Sequence, residues 1–145
     1  MKSTALFLVV LFSSIMFSKP LNGDENKNVN SSELVEKLVS IVIPILQGKD
    51  YTEFKENISP EAYVINNNSY ESIFEVLGNS AKKEKFIEGK EVKFGFAQLL
   101  MLDDSKEIYL ILETKNGEDT KTCWHSILFK IGDNQKWRII SWHKS

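Results

Sequence analysis

From Glu91 onward the chain repeats one pattern: a long run with apolar residues at alternate positions, then a short polar break. The runs cover 92–102, 107–114, 120–131 and 136–143. The breaks are Asp103-Asp104-Ser105, Asn116-Gly117-Glu118 and Gly132-Asp133-Asn134. A period of two marks strands, because successive side chains leave opposite faces of the pleat. Asn-Gly is the strongest short hairpin signal. Long strands with such short connections pair antiparallel, so this half predicts a four-strand meander closing on KWRIISWHKS, 136–145.

The first half carries the helical period instead. Asn30 and Glu33 form a capping box, and Leu34, Val35, Leu38, Ile41, Val42 and Ile45 follow at helical spacing. The helix should end near Gln47 with Gly48 at C′, and Pro44 should kink its last turn or end it early. A second capping box, Asp50 and Glu53, opens a short helix with Tyr51, Phe54 and Ile58, which Pro60 closes. Residues 62–65 read as a short strand, Asn66-Asn67-Asn68 as a turn, and 70–77 as a helix stopped by Gly78. The lysine-rich AKKEKF, 81–86, reads as a solvated face or loop. Helices first and a meander second make an α+β fold, with helices packed on one face of an antiparallel sheet.

Both faces of the meander are apolar. One face of the first run carries Val92, Phe94, Phe96, Leu100 and Leu102, the other Ala97, Leu99 and Met101. The third run has Trp124 and Leu128 on one side and Ile127, Phe129 and Ile131 on the other. An antiparallel sheet wetted on one side shows polar residues there. The second face therefore needs its own cover, and a homodimer through Ile127, Phe129, Ile131, Ile140 and Trp142 is the expectation.

Near its start the chain carries Lys2 and an apolar stretch over 5–17, too short for a bilayer, which takes roughly 20 residues, but suited to a secretory signal. Lys19, Pro20 and Gly23 break it. The expected plan is a signal peptide over 1–23, a polar linker over 24–30 and one domain over 31–145, exported to the periplasm or secreted, with no membrane span after cleavage. The formal charge of −2 falls further when Lys2 and Lys19 leave, which excludes the basic stripe that nucleic acid requires. A lone cysteine, Cys123, allows no internal disulfide. Two histidines and one cysteine without HxH or CxxC spacing leave no metal site, and no glycine-rich phosphate loop or other cofactor motif is present. Asn30, Asn57 and Asn67 fit the glycosylation sequon.

A helix, then Gly48-Lys49-Asp50, then ISPEAYV, a further helix and the meander together resemble the nuclear transport factor 2-like, or SnoaL-like, superfamily. Its small members end in a Trp-Arg/Lys-Ile/Val core followed by His-x-Ser, matched by Trp137, Arg138, Ile139, His143 and Ser145. Ser59 to Ala62 is similar to the Pro-acid-Ala step before their first strand. The resemblance spans about 31–145. It implies a sheet curled into a cone around the helices, as in cystatin-like folds, with the ligand site at the cone's mouth.

On that frame Trp137, Ile139, Ser141 and His143 would face the pocket, joined by Trp124, Phe94, Phe96 and Gln98. His143 is the leading acid–base candidate. Superfamily enzymes place an Asp or Glu inside the cone, and none is apparent here: Glu113 lies opposite Leu112, and Arg138 alternates away from His143. Cys123 and His125 share a face about 7 Å apart, but packing is the commoner fate of such a pair. The expectation is a domain that binds a small apolar or amphipathic ligand without catalysis. The alternatives are an isomerase, dehydratase or hydrolase on a small hydrophobic substrate, and a partner-binding module whose cone is filled by its own side chains.

Overall fold

The computed structural model describes residues 31–101, 106–117 and 121–145. The expected leader and linker, Asn30 and the turn residues Asp103, Asp104, Ser105 and Glu118 lie outside the described residues. Helix α1 (Ser31–Leu46) runs on past Pro44. It ends in a Schellman motif: Lys49 N–H donates to Pro44 O and Gly48 N–H to Ile45 O. Gly48 sits at φ +78, a conformation that a Cβ disfavours. Asp50 then caps a 3-10 helix (Tyr51–Asn57) by accepting from Thr52 N–H.

Strand β1 (Ile58–Asn66) follows directly, longer than the sequence suggested. It turns through Asn67 and Asn68, both at positive φ, into β2 (Ser69–Ser72). Two central residues with positive φ define the tight hairpin turn that Asn tolerates. The segment expected as one helix from 70 is thus strand first, then helix α2 (Ile73–Gly78). The lysine-rich run is helix α3 (Ser80–Phe86), capped by Asn79 and anchored by buried Phe86. The meander comprises β3 (Val92–Met101), β4 (Glu107–Asn116), β5 (Thr122–Ile131) and β6 (Trp137–Lys144). The sheet has six strands in the order β2-β1-β6-β5-β4-β3, so β6 sits inside it and pairs in parallel with β1. This is why the last residues are rich in tryptophan: the final strand is a core element.

Helix α1 lies against the sheet's inner face. Val35, Leu38, Val39, Val42, Ile45 and Leu46 are almost wholly buried, an apolar surface wider than the stripe of an ordinary surface helix. Facing them are Ile108, Leu110, Leu112, Ile127, Phe129, Ile139 and Trp142, each 0% exposed.

Two bulges decide which residues face inward. Phe94 opposes Thr114 while Phe96 opposes Glu113, so Gly95 is the extra residue in β3. Phe129 opposes Ile139 while Leu128 opposes Ser141, so Ile140 is the extra residue in β6. Each bulge reverses the alternation beyond it. Val92 and Phe94 therefore join Ala97 and Leu99 on the inner face, and Phe96 and Leu100 go outside. Trp142 joins Trp137 and Ile139 inside, and His143 goes outside. The face expected to meet a partner is corrected accordingly. Ile127, Phe129 and Trp142 are completely buried in the core and Ile131 packs against it, leaving only Ile140 of that set away from the inner register.

Candidate functional site: a buried carboxylate–imidazole network beside an open cleft

Between α3 and β3 the chain crosses the end of α1. The backbone N–H groups of Glu88 and Gly89 both donate to Leu46 O, at 2.8 and 3.2 Å. Gly89 adopts φ +111, which glycine alone takes without strain, and it allows this close docking. The Glu88 side chain is thereby buried, with 7% of the residue exposed.

Glu88 meets two polar groups from the sheet, and the second of them engages a third. Thr114 Oγ1 donates to Glu88 Oε2 at 2.6 Å, and His125 Nε2 lies 2.9 Å from Glu88 Oε1 and 2.9 Å from Thr114 Oγ1. The Trp142 indole N–H donates to His125 Nδ1 at 3.0 Å. An indole nitrogen only donates, so Nδ1 is the acceptor and the imidazole proton sits on Nε2, shared between Glu88 and Thr114. Phe86 packs edge-on against Trp142 with ring centroids 5.0 Å apart. Burial alone would push the Glu88 carboxyl up. The hydrogen bonds from His125 and Thr114, with the Lys144 charge nearby, instead bring it from the usual 4.5 down to about 2. The carboxylate is thus ionised and occupied on both oxygens, and both imidazole nitrogens are engaged. The imidazole proton is thereby held on Nε2 between two oxygen acceptors.

Lys144 closes the network on its open side. Its Nζ donates to Phe86 O at 2.9 Å and stands 3.6 Å from Glu88 Oε1. Beyond Phe86 and Lys144 is a cleft of about 520 Å³ between the β1–β2 hairpin, helices α2 and α3, and the end of β6. Half-buried Ile65, with the edges of the largely buried Val64, Val76 and Phe86, gives it an apolar wall. Asn66, Asn67, Glu71, Lys82, Lys85 and Lys144 supply its polar groups. Lys82 Nζ stands 2.7 Å from a carboxylate oxygen of both Glu71 and Glu75, and these two partners raise its pKa.

No protein-family model matches the sequence, and no curated protein does. Solved structures do. A candidate ketosteroid isomerase from Parabacteroides distasonis superposes with a TM-score of 0.59 at 15% identity, over 86% of this chain and 92% of that one. Another, from Shewanella frigidimarina, gives 0.59 at 12% identity over 77% and 94%. A nuclear transport factor 2-like protein of unknown function from Silicibacter pomeroyi gives 0.52 at 11% identity over 79% and 97%.

The chain has the nuclear transport factor 2-like fold.

In this nuclear transport factor 2-like cone the residues expected to form a pocket are split between the two faces. Trp137, Ile139 and Phe94 lie on the inner face, packed in or against the core. Phe96, Gln98, Trp124, Ser141 and His143 lie on the outer face; Trp124 is 44% exposed and His143 is also exposed. None of the eight lines the cleft. His143 is therefore no cone residue, and Arg138 shares its outer face once the bulge is counted. Glu113 is on the outer face, as expected, opposite Trp124.

The histidine inside the cone is His125, and Glu88 is its missing carboxylate partner. Sequence reasoning missed Glu88 because it sits in an aperiodic loop, where nothing but the adjoining Gly89 hints at a special backbone. Cys123 and His125 share the inner face of β5, and both ring nitrogens of His125 engage other groups, Nε2 Glu88 and Nδ1 Trp142. Among the described residues no cluster of His, Cys, Asp and Glu could hold a metal ion, and no helix is long and apolar enough to cross a membrane. Of the sequons, Asn57 uses its side-chain amide as a donor to Trp137 O at 3.2 Å, whereas Asn67 is exposed at the hairpin tip.

Proposed function

We propose that this protein is an exported, non-catalytic domain that takes a small amphipathic molecule into the cleft between its β1–β2 hairpin and helices α2 and α3. One observation carries the reading: a cleft of about 520 Å³ with an apolar wall and an amide and ammonium rim. That volume lies within the roughly 300–1,000 Å³ typical of small-molecule sites. The isomerase alternative has less support, because the buried Glu88–His125 pair is internally satisfied and covered by Phe86 and Lys144. The test is titration calorimetry with medium-chain alcohols, acids and esters. Saturable binding of one molecule per chain with a negative heat-capacity change is expected. It should vanish in Asn66→Trp, where an indole on the exposed rim obstructs the cleft. Absence of saturable binding up to millimolar concentrations would overturn the reading.

The outer sheet face favours a second function, pairing of two copies. Trp124 is 44% and Leu100 40% exposed, and Phe96 stands 6.0 Å from Trp124 between ring centroids. Leu128 and Tyr109 continue the same face. We propose a homodimer through this surface, self-complementary about a two-fold axis. Light scattering at micromolar concentration should give a dimer for the native chain and a monomer for Trp124→Lys with Leu128→Asp. A native monomer would rule it out.

A further inference from the structure

The cleft's lysines differ in how far the protein itself uses them. Lys82 is shared by two carboxylates, Glu71 and Glu75, each at 2.7 Å. It has little capacity left for a ligand. Lys85 forms no ion pair among the described residues, and it sits on the same short helix facing the cleft. Lys144 is intermediate. It donates one proton to Phe86 O, and an ammonium has three. Its nearest carboxylate oxygen, at 3.6 Å, is outside hydrogen-bond range. That carboxylate does not depend on it either, since Glu88 already accepts from Thr114 and His125. Among the described residues two protons of Lys144 therefore remain without an acceptor, and its ammonium is held in position by Phe86 O and by the charge of Glu88.

The apolar wall lies beside these cations. Lys144 Nζ is 6.0 Å from the centre of the Phe86 ring, and Phe86 with Val64 and Val76 lines the cleft. A neutral amphipath would use the wall and leave both ammonium groups to water. A cationic one would be repelled by them. A molecule with one anionic head and one apolar tail uses both features at once, because hydrogen bonds in which both partners are charged are the strong ones.

On the reading that the cleft is a ligand site, we propose that its ligand is an anionic amphipath, with a carboxylate-type head held by Lys144 and Lys85 and a hydrocarbon tail along Ile65 and the edges of Val64, Val76 and Phe86. The donor–acceptor pattern asks for a small acidic oxygen group on an aliphatic chain, whether a free carboxylate or a phosphate monoester.

The experiment compares decanoate, decyl phosphate, decanol and decyltrimethylammonium by titration calorimetry against the full chain. Decanoate or decyl phosphate should bind at least tenfold tighter than decanol, and the ammonium compound weakest; which of the two acids leads identifies the head group. Lys144→Gln should lower decanoate affinity by about tenfold, the scale of one lost charge-assisted hydrogen bond. Lys85→Gln should lower it several-fold. Neither loss should appear with decanol. Lys85 is exposed, so Lys85→Gln decides the matter if Lys144→Gln fails to fold. Equal affinity for decanoate and decanol, unaltered by Lys85→Gln, would refute the anionic head group while leaving the cleft a ligand site. No binding of any of the four would refute the ligand site itself.

Discussion

Replacing Glu88 by glutamine removes one charge from the middle of the network and almost no volume. A carboxyl that titrates at about 2 rather than 4.5 has its ionised form favoured in the fold by about 3 kcal/mol. Glutamine keeps a carbonyl oxygen, so it can still accept from either His125 Nε2–H or Thr114 O–H. Its NH2 group then meets the remaining donor, and a buried donor is left unpaired. The expected loss at pH 7 is about 2–3 kcal/mol, on the order of 10 °C in Tm for a domain of this size.

The pH dependence separates this account from simple misfit. The folded pKa lies below the unfolded one, so the contribution is complete above about pH 5 and drains away as pH falls toward 2. Wild type should thus lose its advantage over Glu88→Gln on acidification, and the two curves should converge near pH 2. Urea unfolding followed by tryptophan fluorescence from pH 7 to 2 measures the gap directly, with Trp142 in contact with the network as reporter. A gap that is the same at pH 3 as at pH 7, or no gap at pH 7, would show that the charge of Glu88 is not what the network stabilises.

The two histidines should behave oppositely. His125→Ala strands Glu88 and the Trp142 N–H in the core and should cost at least ~2 kcal/mol, whereas exposed His143→Ala should stay within about 0.5 kcal/mol by the same unfolding assay. Gly48→Ala places a Cβ at φ +78 and 3.2 Å from Ile87 Cδ1, so it should lower stability by about 1 kcal/mol; an unchanged midpoint would remove the strain argument. Amino-terminal sequencing of the protein recovered outside the cell should begin between Lys19 and Asn26, and an intact Met1 on cytosolic protein would contradict export.

Much of the architecture is legible in the sequence because it rests on local rules. The hydrophobic period announces α1 and the four long strands, Gly48 is marked as a C′ residue by what only glycine does well there, and Asn-rich turns announce hairpins. The final strand's tryptophans announce a core strand at the chain's end. The faces of that sheet are a different matter. Alternation fixes which residues share a face only as far as the next bulge, and one extra residue at Gly95 or Ile140 reverses everything beyond it. With apolar residues on both sides, the sequence also leaves open which face is the inside. The packing of α1 decides that, by covering Leu110, Ile127 and Trp142 rather than Phe96, Trp124 and His143. The candidate site is the least local feature of all. Glu88, Thr114, His125, Trp142 and Lys144 come from a loop and three strands, and no periodicity relates them. They meet because the loop after α3 docks on the last carbonyl of α1 and turns one carboxylate into a core that can hold it only with partners.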